Sequence, residues 1–310
     1  MTLDVVVILS SLKSGLARAW STKRLVLVLY LASLLVGLSV ALPLRKVLMG
    51  FAGNSLAGSE LVRGVTVDFL AELITANLAA APALVGMLVF GSIASWLLSL
   101  FLSGGALAIL AGDGRYRADE FWGGAAKFFG RFLRLTLWST LLLAALSLLP
   151  LSIQWTEGLV FGPDPYQYIS YWGGWIRAGV ILIALFFFRM CFDYARIHAV
   201  LTEEKRTRRS LWHGVRLVVR HPIRTAGLAV SIVVLGAVAL LAYLPISGAL
   251  DGSTMSLVVT AIVAQQLYVL WRVAMRLTRY GSQLALYKKL SPDRYRVPLE
   301  QVPNVVAEAT

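Results

Sequence analysis

The chain contains six apolar stretches. As a helix, each would be about long enough to cross the hydrocarbon core of a bilayer. A helix needs about 20 apolar residues to cross that core, and helices are the default there because unpaired backbone groups are intolerable in lipid. The polarity of the stretches does not alternate as it does in the strands of a membrane barrel. We therefore predict an all-α, polytopic membrane helical bundle. Its six transmembrane helices, numbered here as spans one to six, lie near residues 25–43, 83–103, 135–152, 176–195, 226–247 and 255–275.

The composition excludes a soluble globular protein. Hydrophobic residues make up 58 % of the 310 residues and charged residues 15 %, whereas roughly a quarter of the residues are charged in a typical soluble domain. The net charge is +13. Beside membrane spans, such basic residues set the topology and attract anionic headgroups. We expect anionic lipids on the cytoplasmic side as partners, together with a protein partner or further copies of the chain, and no nucleic acid.

The basic residues are distributed very unevenly between the two sides of the predicted membrane domain. If both termini are cytoplasmic, the cytoplasmic segments are 1–24, 104–134, 189–224 and 272–310. They hold all but four of the 29 basic residues, the exceptions being Arg45, Lys46, Arg63 and Arg177. Because basic residues concentrate on the cytoplasmic side, the sequence predicts a multi-pass protein with an N-in/C-in topology.

The external loops and the histidines carry further expectations. Loop one should contain an interfacial helix that begins near Thr66 and precedes Pro82. Loop two, about 153–175, is rich in Trp and Tyr, which favours an aromatic belt at headgroup level over a ligand cage. We expect the three histidines to be surface or interfacial residues, because they lack the spacing of metal ligands. These are His198, His213 and His221.

A threefold regularity precedes the odd-numbered spans. A glycine, a short amphipathic stretch and then a basic residue recur with a spacing of nine or ten residues, as Gly15–Arg24, Gly124–Arg134 and Gly214–Arg224. This pattern predicts three hairpin repeats, each preceded by an amphipathic interfacial helix and all in one orientation. The repeats cover about 10–112, 119–203 and 209–290. Together they form a single transmembrane domain, 1–290, and 291–310 is a cytoplasmic tail.

This helix-plus-hairpin pattern, with segments such as Leu102-Ser-Gly-Gly-Ala-Leu107, resembles uncharacterised bacterial six-span families. Among them are the YciC-like inner-membrane proteins and the membrane domain attached to some glycerophosphodiester phosphodiesterases. The resemblance would cover most of the chain and implies a location in the bacterial inner membrane. It concerns architecture, and it supplies no catalytic residues to carry over to this sequence.

Motifs for catalysis are missing from the sequence. Neither a HExxH zinc motif nor a P-loop is present. The segment Gly53–Gly58 is a near miss to a nucleophile elbow, but its Ser55 would lie outside the cell and all three histidines inside. A serine and a histidine must come within hydrogen-bond reach to act together. We therefore expect no enzyme, with no catalytic residues, no cofactor and no metal.

Polar side chains inside the spans are the strongest functional candidates. On span six they follow helical steps along one face, and on span four Arg189, Asp193 and Arg196 do the same. Asp193 could pair with Arg189 or Arg196 in its own helix, or with an arginine of span six, Arg272 or Arg276. The candidate anion-binding or lipid-binding residues are Arg189, Asp193, Arg196, Gln265, Arg272, Arg276 and Arg279.

Two functions are consistent with these residues. In the first, the charges are structural, and the chain is a non-enzymatic inner-membrane scaffold or accessory subunit in contact with anionic lipid. In the alternative, the chain is a transporter or lipid-handling protein that binds an anionic group at a cytoplasm-facing cationic vestibule between spans four and six. A cavity lined by these arginines would favour the second function, and a dry bundle would favour the first.

Overall fold

The computed structural model describes residues 2–52, 75, 81–112, 114–162, 166–250 and 254–291. Within those ranges the chain forms eight helices. They are α1 (Thr2–Ser21), α2 (Lys23–Ala52), α3 (Ala81–Ala111), α4 (Ala118–Phe161), α5 (Gln167–Leu201), α6 (Thr207–Arg220), α7 (Pro222–Ala249) and α8 (Met255–Leu290). Six of them are long and apolar enough to cross a membrane, namely α2, α3, α4, α5, α7 and α8. This confirms the prediction of a helical chain with six candidate spans.

The hydrophobic core lies at one end of the bundle, which we call the packed end. Large side chains that are fully buried come from the starts of α2 and α4 and from the last turns of α3, α5 and α8; examples are Leu25, Phe121, Leu110, Ile197 and Leu284. The opposite halves of the same helices expose apolar side chains, such as Leu35, Leu141 and Leu182. Exposed apolar surface of this kind suits contact with lipid tails, which are equally apolar.

The two shorter helices, α1 and α6, cover the packed end. Helix α1 packs mainly against α8 and also against α7, while α6 packs mainly against α5 and also against α4. Polar contacts add to the docking of α1. Nε of Arg224 donates to Oδ1 of Asp4 over 2.6 Å, and Nη1 of Arg18 donates to the carbonyl oxygen of Leu110 over 3.2 Å. Helix α1 is thereby tied to α3 and α7 as well as to α8.

Three glycines lie where helices approach each other very closely. Gly15 of α1 faces α8, Gly124 of α4 faces α3, and Gly214 of α6 faces α5. A Cβ at Gly15 would lie 2.6 Å from the carbonyl oxygen of Thr278. A Cβ at Gly124 would lie 2.5 Å from Cβ of Ala108, and one at Gly214 would lie 2.5 Å from the carbonyl oxygen of Cys191. Real Cβ atoms do not come that close to other atoms, so any larger residue would push the helices apart.

The second predicted interfacial helix and span three are parts of one continuous helix, α4. Its 44 residues would extend about 66 Å at 1.5 Å per residue, more than twice the thickness of the hydrocarbon core. The other two junctions are interrupted. Helix α1 ends before Thr22, and α6 is separated from α7 at His221, next to Pro222. Proline cannot donate the backbone hydrogen bond that would continue a helix, and α4 contains no proline before Pro150.

Loop two lies mostly on the adjoining ends of two helices. Helix α4 continues to Phe161 and α5 begins at Gln167, so most of 153–175 is helical. The aromatic residues of this region are exposed on these helices, and several contact each other edge to face, for example Tyr171 with Trp172 and with Trp175. The predicted interfacial helix after Thr66 and residues 292–310 of the predicted tail lie outside the described residues.

The expectation of surface or interfacial histidines was wrong for His198. This residue is buried near the end of α5. Its Nδ1 lies 2.7 Å from the hydroxyl of Tyr287 on α8, at hydrogen-bond distance, and its ring lies 4.6 Å from that of His213. Helix packing at the packed end buries a position that would be exposed on an isolated helix.

Candidate anion-binding site

A cavity of about 630 Å³ lies between α2, α5, α7 and α8. Helices α5 and α8 supply most of its polar lining, and α7 supplies only apolar residues. The polar lining consists of Ser33, Arg189, Asp193, Tyr268, Arg272, Arg276, Arg279 and Gln283. The wall that α7 contributes consists of Ala229, Ile232, Val233 and Gly236. Helices α5 and α8, which are spans four and six, therefore face a common space. Helix α7, which is span five, closes part of it.

Helical periodicity explains why α8 lines this space with so many polar groups. Arg272, Arg276, Arg279 and Gln283 follow each other in steps of four, three and four residues, and such steps keep side chains on one face of a helix. On α5, Arg189 and Asp193 are one turn apart and face α8. The cavity is thus lined by four guanidinium groups and one carboxylate, which leaves an excess of three positive charges.

Asp193 is the carboxylate of the site, and it is only 6 % exposed. Its Oδ2 accepts a hydrogen bond from Nε2 of Gln283 over 3.1 Å and lies 3.6 Å from Nε of Arg279. The sequence analysis named four other arginines as partners, on α5 and α8, and that prediction was wrong. The register of α5 against α8 brings Arg279, rather than Arg272 or Arg276, level with Asp193.

Arg276 is held by hydrogen bonds to the protein. Its Nη2 donates to Oγ of Ser99 over 2.7 Å and to the carbonyl oxygen of the same residue over 3.0 Å. Its Nε donates to the hydroxyl of Tyr280 over 3.2 Å. These bonds join α8 to α3, so the guanidinium group has a structural role even though it borders the cavity.

Arg276 has hydrogen bonds and Arg279 has an ion pair within the protein, whereas Arg189 and Arg272 have neither with the described residues. Both line the cavity with exposed side chains. Neither makes a hydrogen bond or lies within ion-pair distance of a carboxylate among the residues that the structure describes. Two charged groups that face the same cavity from α5 and α8 are therefore open to a ligand.

Two of the sequence-derived candidates do not line the cavity. Arg196 is buried beside it, and its guanidinium group lies over the rings of Phe192 at 4.0 Å and Phe132 at 5.3 Å. Gln265 is exposed on α8. Its neighbour Gln266 accepts a hydrogen bond from the hydroxyl of Tyr30 on α2 over 2.9 Å, which is the helix-bridging role expected of an amide in a span.

The sequence analysis did not find Gln283, Ser33 or the wall formed by α7. Gln283 could have been found, because it continues the helical steps of the α8 arginines by one turn. Its Oε1 and Nε of Arg279 are both buried, without a hydrogen-bond partner in the described part of the chain. Ser33 and the α7 residues carry no polar pattern that would point to a site, and only the packing of the helices brings them to it.

The described residues contain no group of three or more His, Cys, Asp or Glu side chains placed to hold a metal ion. Comparison of the chain with protein-family models, with curated proteins and with solved structures gave no match.

Proposed function

We propose that the protein binds an anionic group, such as a phosphate, in the cavity between α2, α5, α7 and α8, and that it works as a lipid-handling protein or transporter. The observation that carries this proposal is the pair Arg189 and Arg272, two arginines that border one cavity and make no hydrogen bond or ion pair with the described residues. The proposal assigns no catalysis to the chain.

The position of Arg189 within α5 supports a bound anion on energetic grounds. Arg189 is twelve residues from the end of α5 at Leu201, which corresponds to about 18 Å along the helix. An unpaired charge inside a membrane costs about 2.5–3.5 kcal/mol on insertion scales. A bound anion would offset that cost for both arginines. The planar guanidinium fork also matches the oxygens of a phosphate or carboxylate.

Native mass spectrometry of the protein in a mild detergent tests this proposal. Wild-type protein should retain an anionic phospholipid or another anion, and the double variant Arg189→Gln/Arg272→Gln should lose it. Arg24→Gln is the matched control, because Arg24 is an exposed arginine at the start of a span that does not line the cavity. Identical spectra for all three proteins would contradict the proposal.

A structural scaffold in contact with anionic lipid is the second candidate function. It is favoured by arginines whose guanidinium groups interact with other parts of the protein. Arg276 donates a hydrogen bond to Ser99, and the guanidinium group of Arg196 lies over the ring of Phe192. A partner subunit that copurifies with both the wild type and the double variant, without any bound anion, would favour this function over the first.

We further propose that the chain consists of three repeats with both termini in the cytoplasm of a bacterium. The equivalent close approaches of Gly15, Gly124 and Gly214 support the repeats, since each glycine faces the packed end of an even-numbered span. The resemblance to bacterial inner-membrane families and the distribution of basic residues support the location and the orientation. A green fluorescent protein fused to the C-terminus should fluoresce, and an active alkaline phosphatase fused at the same point would contradict the orientation.

A further inference from the structure

The cavity has two chemically different walls. Arg189, Arg272 and Arg279 make one wall cationic, whereas the α7 wall, which includes Ile232 and Val233, offers only apolar groups. A small inorganic anion would contact the first wall and leave the second without a partner. A ligand that fills both walls must combine a negative charge with a hydrocarbon portion.

The cavity is open at the side of the bundle. Helices α5 and α7 both pack against α8 but make little contact with each other. Val233 and Trp271 line the cavity and are also 61 % and 40 % exposed, so they mark its opening. Val233 is eleven residues from the start of α7 at Pro222, or about 16 Å along the helix. At that depth the flanks of apolar, membrane-length helices face hydrocarbon.

We infer that the ligand is an anionic phospholipid that enters sideways from the bilayer, through the gap between α5 and α7. Its phosphate lies between Arg189 and Arg272, and part of an acyl chain lies along α7 beside Val233. This inference rests on the proposed anion site, and it adds the chemical class of the ligand and its route. Each methylene group buried on the apolar wall strengthens binding about fourfold, so the acyl chain distinguishes the lipid from a soluble phosphate.

The charge of the site selects among headgroups. An excess of positive charge disfavours a headgroup that carries its own ammonium group, as phosphatidylethanolamine does. The buried Oε1 of Gln283, which borders the cavity and has no donor among the described residues, can accept a hydrogen bond from a headgroup hydroxyl. Phosphatidylglycerol meets both conditions and is the lipid to use as a probe, with glycerol 3-phosphate as its soluble counterpart.

Gly236 offers a way to block the apolar wall without touching the arginines. It lines the cavity, and a Cβ built there meets no atom within 4 Å. Gly236→Trp should therefore fill the space of the acyl chain and leave the fold intact. Gly37→Trp on α2 is the matched control, because its Cβ also meets nothing within 4 Å and Gly37 does not line the cavity.

Two measurements on each purified full-length protein test the inference. Native mass spectrometry follows retained phosphatidylglycerol, and broadening of the phosphorus NMR line follows the binding of glycerol 3-phosphate. For Gly236→Trp we expect at least about tenfold weaker retention of the lipid, equivalent to two displaced methylene groups, with glycerol 3-phosphate binding as in the wild type. Gly37→Trp should behave as the wild type in both measurements.

The other outcomes overturn either the inference alone or the proposed function with it. If Gly236→Trp retains the lipid as well as the wild type does, the lipid does not occupy the α7 wall. If the wild type binds glycerol 3-phosphate but no phosphatidylglycerol, the anion site stands and the lipid inference fails. If the wild type binds neither probe, both the site and the inference fail.

Discussion

Nε of Arg279 lies 3.6 Å from Oδ2 of Asp193, and this ion pair joins α8 to α5 inside the bundle. Asp193 is buried, so removing it leaves a largely buried guanidinium group without its counter-charge. We expect Asp193→Ala to lower the free energy of unfolding by about 3 kcal/mol, measured by titration with a denaturing detergent in mixed micelles.

The exposed pair Lys127–Glu203 provides the comparison for that experiment. Its two atoms are 2.6 Å apart, but both side chains are about half exposed or more. Water and salt screen such pairs, so Glu203→Ala should cost no more than about 1 kcal/mol. Equal losses for Asp193→Ala and Glu203→Ala would mean that the pair between α5 and α8 is not buried as described.

Two adjacent glycines of α4 should respond in opposite directions to the same substitution. A Cβ at Gly124 would lie 2.5 Å from Cβ of Ala108, which has no freedom to move away, whereas a Cβ at Gly123 meets nothing within 4 Å. We expect Gly124→Ala to destabilise the protein by about 1–3 kcal/mol. Gly123→Ala should stabilise it by about 0.5–1 kcal/mol, because alanine is the better helix former. The melting temperatures in detergent measure both, and a stabilising Gly124→Ala would contradict the close contact of α4 with α3.

Two arginines of α8 that are one turn apart should have different roles. Arg276 is hydrogen-bonded to Ser99, and Arg272 lines the cavity without a partner among the described residues. We expect Arg276→Gln to lower the melting temperature, because it removes bonds between α8 and α3. We expect Arg272→Gln to keep the melting temperature of the wild type and to weaken retention of phosphatidylglycerol. The reverse assignment of the two effects would contradict the geometry of the site.

The docking of α1 should depend on pH through Asp4. The hydrogen bond from Arg224, together with its charge, holds the pKa of the Asp4 carboxyl below its usual value. A carboxyl whose pKa is lowered by folding contributes stability above its unfolded pKa and loses that contribution as the pH falls through the folded pKa. Asp4→Asn should therefore lower the melting temperature at neutral pH, and the difference from the wild type should shrink as the pH falls through the lowered pKa of Asp4.

The variant Arg224→Gln checks that this effect comes from the pair. It should lower the melting temperature at neutral pH as Asp4→Asn does, and the double variant should lose little more than either single one. A difference between Asp4→Asn and the wild type that stays constant from neutral to acid pH would show that the charge of Asp4 does not contribute to the docking of α1.

The sequence by itself determined the helical class and the six candidate spans, because length and apolarity are local properties that every helix in lipid must satisfy. It also determined that the α8 arginines share a face, since that follows from helical periodicity alone. Only the tertiary structure decided that Asp193 pairs with Arg279, that His198 is buried and that α7 completes the cavity around Arg189 and Arg272. These features depend on the register and distance between helices far apart in sequence, and no pattern within one helix encodes them.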